Sequence, residues 1–463
     1  MGDGQKQLHF SLLTMPTLAH NDYGIWAHPE NQKAHFDTTA FWSELARICE
    51  ESLLDALFMA DGVGITDSFG GSFDVSLREG MHVPVLDPTL VAAAVAGSTT
   101  YLGFAVTHAT TYDPPFTLAR QMGTLDHLTG GRIGWNVVTG FVRNGEDNYG
   151  VPPASSSTQR YDDSEEFLDV TYKLWAGSWE DDAYVLDSTT GLAIDPTKVH
   201  RIDHVGERYQ VSGPALWHPG VQRTPVIFQA GMSERGRLFA AKHAEVVFAA
   251  SVADDATYQR LIADLRSKAA GFGRAREDMK LLGIASIVTG EDEAAAKAKL
   301  ETYEHWTRPE GYLAHAFALS DFNPLVHDRD ERLLDAILED GFKRDDFSAY
   351  IPNDEITVGE FIDVFKHIGG MPGMFVGNPA QVVDELEAHA DRYDLDGFLL
   401  RSLMYPHSMR DFRDYIVPEM QRRGIYRTAY EGTTLREHIF GAGRTRIADN
   451  HHAASFRGSF ATA

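Results

Sequence analysis

Residues 133–139 read IGWNVVT, and this stretch decides how the rest of the chain is read. Ile133, Trp135, Val137 and Val138 make a short buried strand, and Asn136 is a lone amide near its C-terminal end. A strand apolar on both faces belongs in a parallel sheet covered by helices, and a polar exception at its end points to a ligand pocket. Just upstream, residues 117–132 (TLARQMGTLDHLTGGR) have helical spacing and stop at Gly130-Gly131, a pair that ends helices. Helix, tight turn, buried strand and then a loop (residues 140–157) make one step of an alternating α/β fold.

The same step recurs outward from there. Residues 8–13 (LHFSLL), 53–60 (LLDALFMA), 101–106 (YLGFAV), 225–230 (PVIFQA), 245–250 (EVVFAA), 280–289 and 396–400 (DGFLL) read as strands. Amphipathic segments lie between them, for example residues 161–175, with Phe167, Val170 and Leu174 on one face and acids in the first turns. Eight strands alternating with helices predict an α/β fold of the (β/α)8 TIM-barrel kind. A doubly wound sheet is the competitor, but no GxGxxG opens a helix and no GxxxxGK[ST] occurs. We expect one barrel domain over residues 1–463. Its insertions fall near 63–86, 180–213 (a small hairpin) and 305–370, and an extension, 424–463, wraps the surface or a partner subunit.

Composition narrows the function. The 463 residues include 41 basic and 67 acidic side chains, a net charge of −26. Such a surface repels a phosphate backbone and anionic membranes, so neither nucleic acid nor membrane is an expected partner. The single cysteine, Cys49, excludes an intramolecular disulfide and fits a reducing compartment. No apolar run approaches the ~18 residues of a spanning helix, and MGDGQKQ lacks the regions of a signal peptide. The expected location is cytoplasmic.

Barrel sites lie at the C-terminal ends of the strands. Those ends carry Asp61, Thr107, Asn136 and Ser233. Each alone is as consistent with a turn or cap as with a site; four at equivalent positions form a set able to hydrogen-bond a polar heterocycle. Gly231-Met232-Ser233 follows a strand and opens a helix, which makes either a plain capped helix or an anion site of free N–H groups. Arg235 and Arg237 are phosphate partners or solvated side chains. The i, i+4 pair His200 and His204 lacks a helix, an HExxH motif or a flanking cysteine, so no metal is expected. His20 and His108 lie in strand-end loops near the expected pocket. No GxSxG elbow supports a hydrolase.

Several of these segments are specific in combination: FAVTHATTYDPPFTLARQMGTLDHLTGGRIGWNVVTG, RYDDSEEFLDVTYKLWAGSWEDDA, TPVIFQAGMSERGRLFAAKHAEVVF and NPAQVVDELE with DGFLL. Over roughly residues 8–430 the chain resembles the flavin-dependent monooxygenases of the bacterial luciferase superfamily. The group in view is that of the long-chain alkane, dimethyl sulfide, dibenzothiophene sulfone and nitrilotriacetate monooxygenases. The resemblance implies a (β/α)8 barrel with insertions, in a homodimer or homotetramer. It implies FMN, bound as FMNH2 delivered by a separate NAD(P)H-dependent flavin reductase, with O2 as co-substrate. One oxygen atom then passes to a small, largely apolar or organosulfur substrate through a flavin C4a-(hydro)peroxide.

Carried over by motif, Asp61, Thr107, Tyr161, Gly231, Met232 and Ser233 match FMN contacts, with Tyr161 and Ser233 towards the phosphate. Asn136 lies beside the ring. Asn136, Thr107 and His20 are the catalytic candidates, His20 as proton donor or base because its ordinary pKa is near neutrality. The sequence departs from the family where Ser157 replaces a histidine four residues before Tyr161, which bears on FMN affinity. It departs again at Thr17 and Phe141, which stand where the alkane enzyme has Cys and His. Two other readings stay open: a deazaflavin (F420)-dependent oxidoreductase of the same superfamily, and a flavin-binding protein without turnover.

Overall fold

A computed structural model describes residues 6–67, 69–140, 143–152, 156–249, 255–318, 322–344 and 353–460, the side chains of 143 and 157 excepted. Thirteen strands occur among them: β1 His9–Thr14, β2 Ala56–Met59, β3 Gly103–Ala109, β4 Ile133–Val138, β5 Tyr184–Asp187, β6 Leu192–Ile194, β7 His204–Val205, β8 Gln210–Val211, β9 Val226–Gln229, β10 Val246–Phe248, β11 Lys280–Thr289, β12 Met374–Gly377 and β13 Gly397–Arg401. Eight of them, all parallel, run in the order β10-β9-β4-β3-β2-β1-β13-β11, and pairing of β10 with β11 closes the barrel. These eight are the strands expected from the sequence. A ninth parallel strand, β12, pairs with residues 286–289 of β11 outside the ring.

The step around β4 shows why the chain folds this way. Pro115 opens the helix Pro115–Thr129, where a missing N–H costs nothing. Gly130 ends it at φ +65°, and the Gly130 and Gly131 N–H groups close onto the Asp126 and His127 carbonyls. Arg132, 6 % exposed, locks the turn against its neighbours by donating to the carbonyls of Ala96, Leu102 and Thr129. The chain then enters β4 between β3 and β9.

Two apolar layers follow from the alternation of strand side chains. Leu13, Phe58, Ala105, Val226, Phe228, Leu282 and Leu399 fill the barrel interior. Phe10, Leu12, Leu57, Phe104, Trp135 and Val247 face outward into the helix layer. A third cluster, including Tyr23, Phe69, Met81, Leu313 and Phe361, lies under the insertion segments.

The structure departs from the sequence reading at several points. Residues 180–213 form two small antiparallel hairpins, β5–β6 and β7–β8, rather than one. The segment read as the loop 140–157 contains the helix Arg143–Tyr149, too short and polar for periodicity to mark. The C-terminal extension does more than wrap a surface: Leu435 and Ile439 of the helix Leu435–Phe440 enter the interior layer and plug the barrel floor.

Candidate active site

At the C-terminal mouth of the barrel, Thr107 of β3 and Asn136 of β4 are register partners, so their side chains stand side by side. Asn136 Nδ2 donates to Thr107 Oγ1 at 2.9 Å, and both residues are buried. Asn136 Oδ1 is also buried and has no partner. A buried acceptor left unpaired costs about 1–3 kcal/mol, so this oxygen marks a seat for a ligand donor.

Asp61 follows β2 and accepts the Gly62 N–H at 2.8 Å. Burial pushes its carboxyl up to about 6 despite that hydrogen bond. It lines a small pit with Thr107, Tyr112 and Gly140, and a wider cavity of about 320 Å³ with His82, Asp87 and Tyr149. Asp61, Thr107 and Asn136 thus share one end of the barrel, as expected. Larger cavities of about 440 and 680 Å³ lie at the opposite end, around Glu245 and Arg436 and around His9 and Lys280, where the strands begin.

One strand along from β4, β9 ends in Gln229 and leads into the helix Glu234–His243. Ser233 caps that helix by accepting the Gly236 N–H at 3.1 Å. Tyr161, from the helix Ser157–Tyr172, brings its hydroxyl to the Ser233 and Gln229 side chains. The Gly231 N–H donates to Gln229 Oε1 at 2.8 Å. A Cβ on Gly231 would stand 2.4 Å from both Tyr161 Oη and Gln229 Nε2, so any larger residue must displace both side chains. Met232 packs half-buried on the core, and its carbonyl accepts from Arg237. Both arginines of the motif are engaged by acids, Arg235 by Asp162 and Glu165, and Arg237 by Asp264. Neither is merely solvated, but Arg235 Nη1 is buried without a partner beside the Tyr161 ring. The helix terminus, the Tyr161 and Ser233 hydroxyls and that Arg235 donor are what remains for an anion.

Ser157 is the first residue of its helix, but its side chain lies outside the described residues, as does Phe141. His200 and His204 point to separate carboxylates, Glu180 and Glu166. His108 pairs with Asp113 at the rim.

His20 sits beyond β1, in a loop tied to residues 81–85 by bridges from Ala19 to Met81 and from Thr17 to Val85. The ties set His20 against His82, and the helix Pro309–Ala316 adds His315: ring centroids are 5.3 Å apart for His20 and His82 and 5.0 Å for His82 and His315. The buried Tyr23 hydroxyl bridges His82 Nε2 (3.2 Å) and His315 Nδ1 (2.8 Å). Burial, then the neighbouring histidines, holds His20 well below its ordinary pKa, so at neutral pH it is an uncharged imidazole and the expectation of a near-neutral pKa is corrected. Its Nδ1 is buried without a partner. Below the loop, Asp22 accepts the His20 N–H at 2.6 Å, and Lys33 is buried on Thr14 Oγ1 and the Met15 carbonyl. Burial raises the Asp22 carboxyl and lowers the Lys33 ammonium.

Tyr23, His82 and His315 were not legible as site residues. The one sequence signal for His82 was that residues 63–86 form a long loop rich in Gly, Ser and Asp, of the kind that serves function.

Comparison with known proteins agrees with this geometry. The sequence profile of the luciferase-like monooxygenases matches residues 22–394. The chain is 40% identical over 456 residues to the long-chain alkane monooxygenase of Geobacillus thermodenitrificans (strain NG80-2), covering 98% of each. It is 37% identical over 458 residues to the dimethyl-sulfide monooxygenase of Hyphomicrobium sulfonivorans, covering 98% of this chain and 95% of that one. A crystal structure of long-chain alkane monooxygenase superposes with a TM-score of 0.90 at 39% identity, over 98% of this chain and 100% of that one. A riboflavin lyase structure with modified FMN and riboflavin gives 0.87 at 34% identity, over 98% and 100%. A closed parallel barrel, a buried polar pair on two adjacent strands, a capped helix N-terminus just beyond the next, and these similarities lead to one conclusion: the chain belongs to the luciferase-like monooxygenase family and is an oxidoreductase, a flavin-dependent monooxygenase.

Proposed function

We propose that this chain is the oxygenase component of a two-component system. It would take FMN as FMNH2 from a separate NAD(P)H-dependent flavin reductase and transfer one atom of O2 to a small, largely apolar or organosulfur substrate. One observation carries the reading. The unpartnered Asn136 amide oxygen lies on β4, and the tight glycine turn at Gly231 lies just beyond its neighbour β9. A ligand with a polar heterocycle at one end and a phosphate at the other suits the pair, and FMN has that form.

Asn136, Thr107 and Asp61 would orient the ring, while Tyr161, Ser233 and the backbone of residues 231–233 would hold the phosphate. The bound reduced flavin would supply the activation of O2, by the C4a-(hydro)peroxide route that the family resemblance implies. The protein's share is to exclude water and to hold protons where the substrate end needs them. His20 would serve there as a neutral hydrogen-bonding group beside His82. We further propose that residues 1–463 act as one catalytic domain, in the cytoplasm and as a homo-oligomer.

Anaerobic mixing with FMNH2, then rapid mixing with oxygenated buffer while recording the flavin spectrum, tests the reading. A long-lived flavin–oxygen intermediate is expected. Oxidation as fast as that of free FMNH2 would overturn the oxygenase reading and return attention to a deazaflavin cofactor or a protein without turnover.

A further inference from the structure

The Tyr23 hydroxyl has one proton and two imidazole nitrogens within reach. Tyr23 is fully buried, and burial holds its phenol far above its ordinary pKa, so the proton stays on. Burial pushes His82 down to about 3 and His315 down to about 4, so each ring carries one N–H at neutral pH. Only two arrangements then satisfy both contacts. Either the phenol donates to His315 and accepts from His82, or it donates to His82 and accepts from His315. The shorter contact, 2.8 Å to His315 Nδ1 against 3.2 Å to His82 Nε2, favours the first.

We infer that Tyr23 is a positioning residue that locks His82 and His315 in complementary tautomers and joins them as a proton path that opens on the cavity at His82 and ends at His315 Nε2, where a bound ligand or water takes the proton. In the resting state His82 carries its proton on Nε2 and leaves Nδ1 bare, while His315 carries its proton on Nε2. A proton taken up at His82 Nδ1 sends the Nε2 proton to the phenol oxygen and the phenol proton to His315 Nδ1. A proton then leaves from His315 Nε2. One proton enters and one leaves, no electron moves, and both rings end in the opposite tautomer. His82 lines the 320 Å³ cavity that Asp61 shares, which gives the path its outer end.

The charged and titratable groups around the path are His20 against His82, Asp22 and Tyr312 beside Tyr23, and Arg401 and Lys33. Arg401 is held by Ser286 Oγ and the Pro372 carbonyl, and Lys33 by Thr14 and Met15. Neither competes for the phenol. The tautomer lock stands apart from the proposed function. Its use in turnover rests on the monooxygenase reading.

The test is histidine-selective 15N labelling of the full-length protein, with tautomers read from side-chain 1H–15N correlations and assigned through His82→Gln and His315→Gln. Wild type is expected to show one neutral tautomer at each ring, with the proton on Nε2. Tyr23→Phe keeps the ring packed edge-on to Tyr312, 4.9 Å between centroids, and removes only the hydroxyl. It is expected to mix the tautomers at both rings. Tyr312→Phe, which removes a hydroxyl bonded to the Asn21 carbonyl, should leave them unmixed. Mixed tautomers in wild type, or the same populations in Tyr23→Phe as in wild type, would overturn the lock. In turnover, Tyr23→Phe should lower kcat on the order of 100- to 10,000-fold, as loss of a positioned proton-transfer group does. KM should stay within about twofold, since ground-state binding is untouched. A mixed-tautomer variant with unchanged kcat would leave the lock and remove the proton path. The spectra decide the lock whether or not the oxygenase reading survives.

Discussion

Gly231→Ala tests the proposed phosphate cradle directly. The new Cβ would sit 2.4 Å from Tyr161 Oη and 2.4 Å from Gln229 Nε2. Ordinary contact begins at 3.4 Å, so both groups must retreat by about 1 Å. Neither is free to do so. Tyr161 is buried against Phe239 with Arg235 over its ring, and Gln229, 4 % exposed, accepts the Gly231 N–H. Forcing a methyl into such packing costs about 1–3 kcal/mol, which corresponds to roughly a 5- to 150-fold loss in an equilibrium constant. The loss should appear in FMN affinity, because the displaced hydroxyl is one of the proposed phosphate contacts. Gly271→Ala is the control: it lies at the end of a helix, and nothing stands within 4 Å of its added Cβ. Flavin fluorescence titration gives the affinity and thermal unfolding gives the stability. If Gly231→Ala binds FMN as tightly as wild type while remaining folded, the cradle is not where the phosphate sits.

Three further outcomes follow from the packing and the charges. Leu435, fully buried in the barrel floor, should cost about 2–5 kcal/mol when cut to alanine; a urea midpoint like that of wild type would show that the floor does not need its plug. Arg427→Met strips Asp55, 1 % exposed, of its guanidinium partner and leaves His9 alone with it. Breaking a buried pair from one side costs about 3–5 kcal/mol, and equilibrium unfolding of the variant checks this. Finally, burial holds the folded-state pKa of His82 at about 3 and of His315 and His243 at about 4. Below the ordinary histidine pKa of about 6.5 the unfolded chain takes up protons that the folded chain refuses, so stability falls as pH drops from about 6.5 towards 4. A melting temperature that stays flat from pH 7 to pH 4.5 would contradict this.

How much of this was legible in the chain depends on how local each cause is. The eight barrel strands were readable because each is a short apolar run between helices of clear period, and burial on both faces leaves no other use for such a run. Thr107, Asn136 and Asp61 were readable because they break that apolar pattern at strand ends, where a barrel places its chemistry. Ser233 and Gly231 were readable because a strand, a glycine and a capping serine in sequence make a helix N-terminus. What tertiary structure alone decided is the histidine cluster. His20 and His82 lie in loops and His315 in the last turn of the helix Pro309–Ala316, separated by 62 and 233 residues, and no local pattern marks a contact at that range. The bridges from residues 17 and 19 to residues 81 and 85, with the helix that carries His315, created it, and the resulting burial moved His20 away from the pKa that had suggested its role. The same holds for Arg235 and Arg237, whose charges the sequence shows but whose acidic partners only the fold supplies. It holds for the plug at Leu435 too: the sequence shows only a tail expected to wrap the surface, and only closure of the barrel creates the floor that buries its helix.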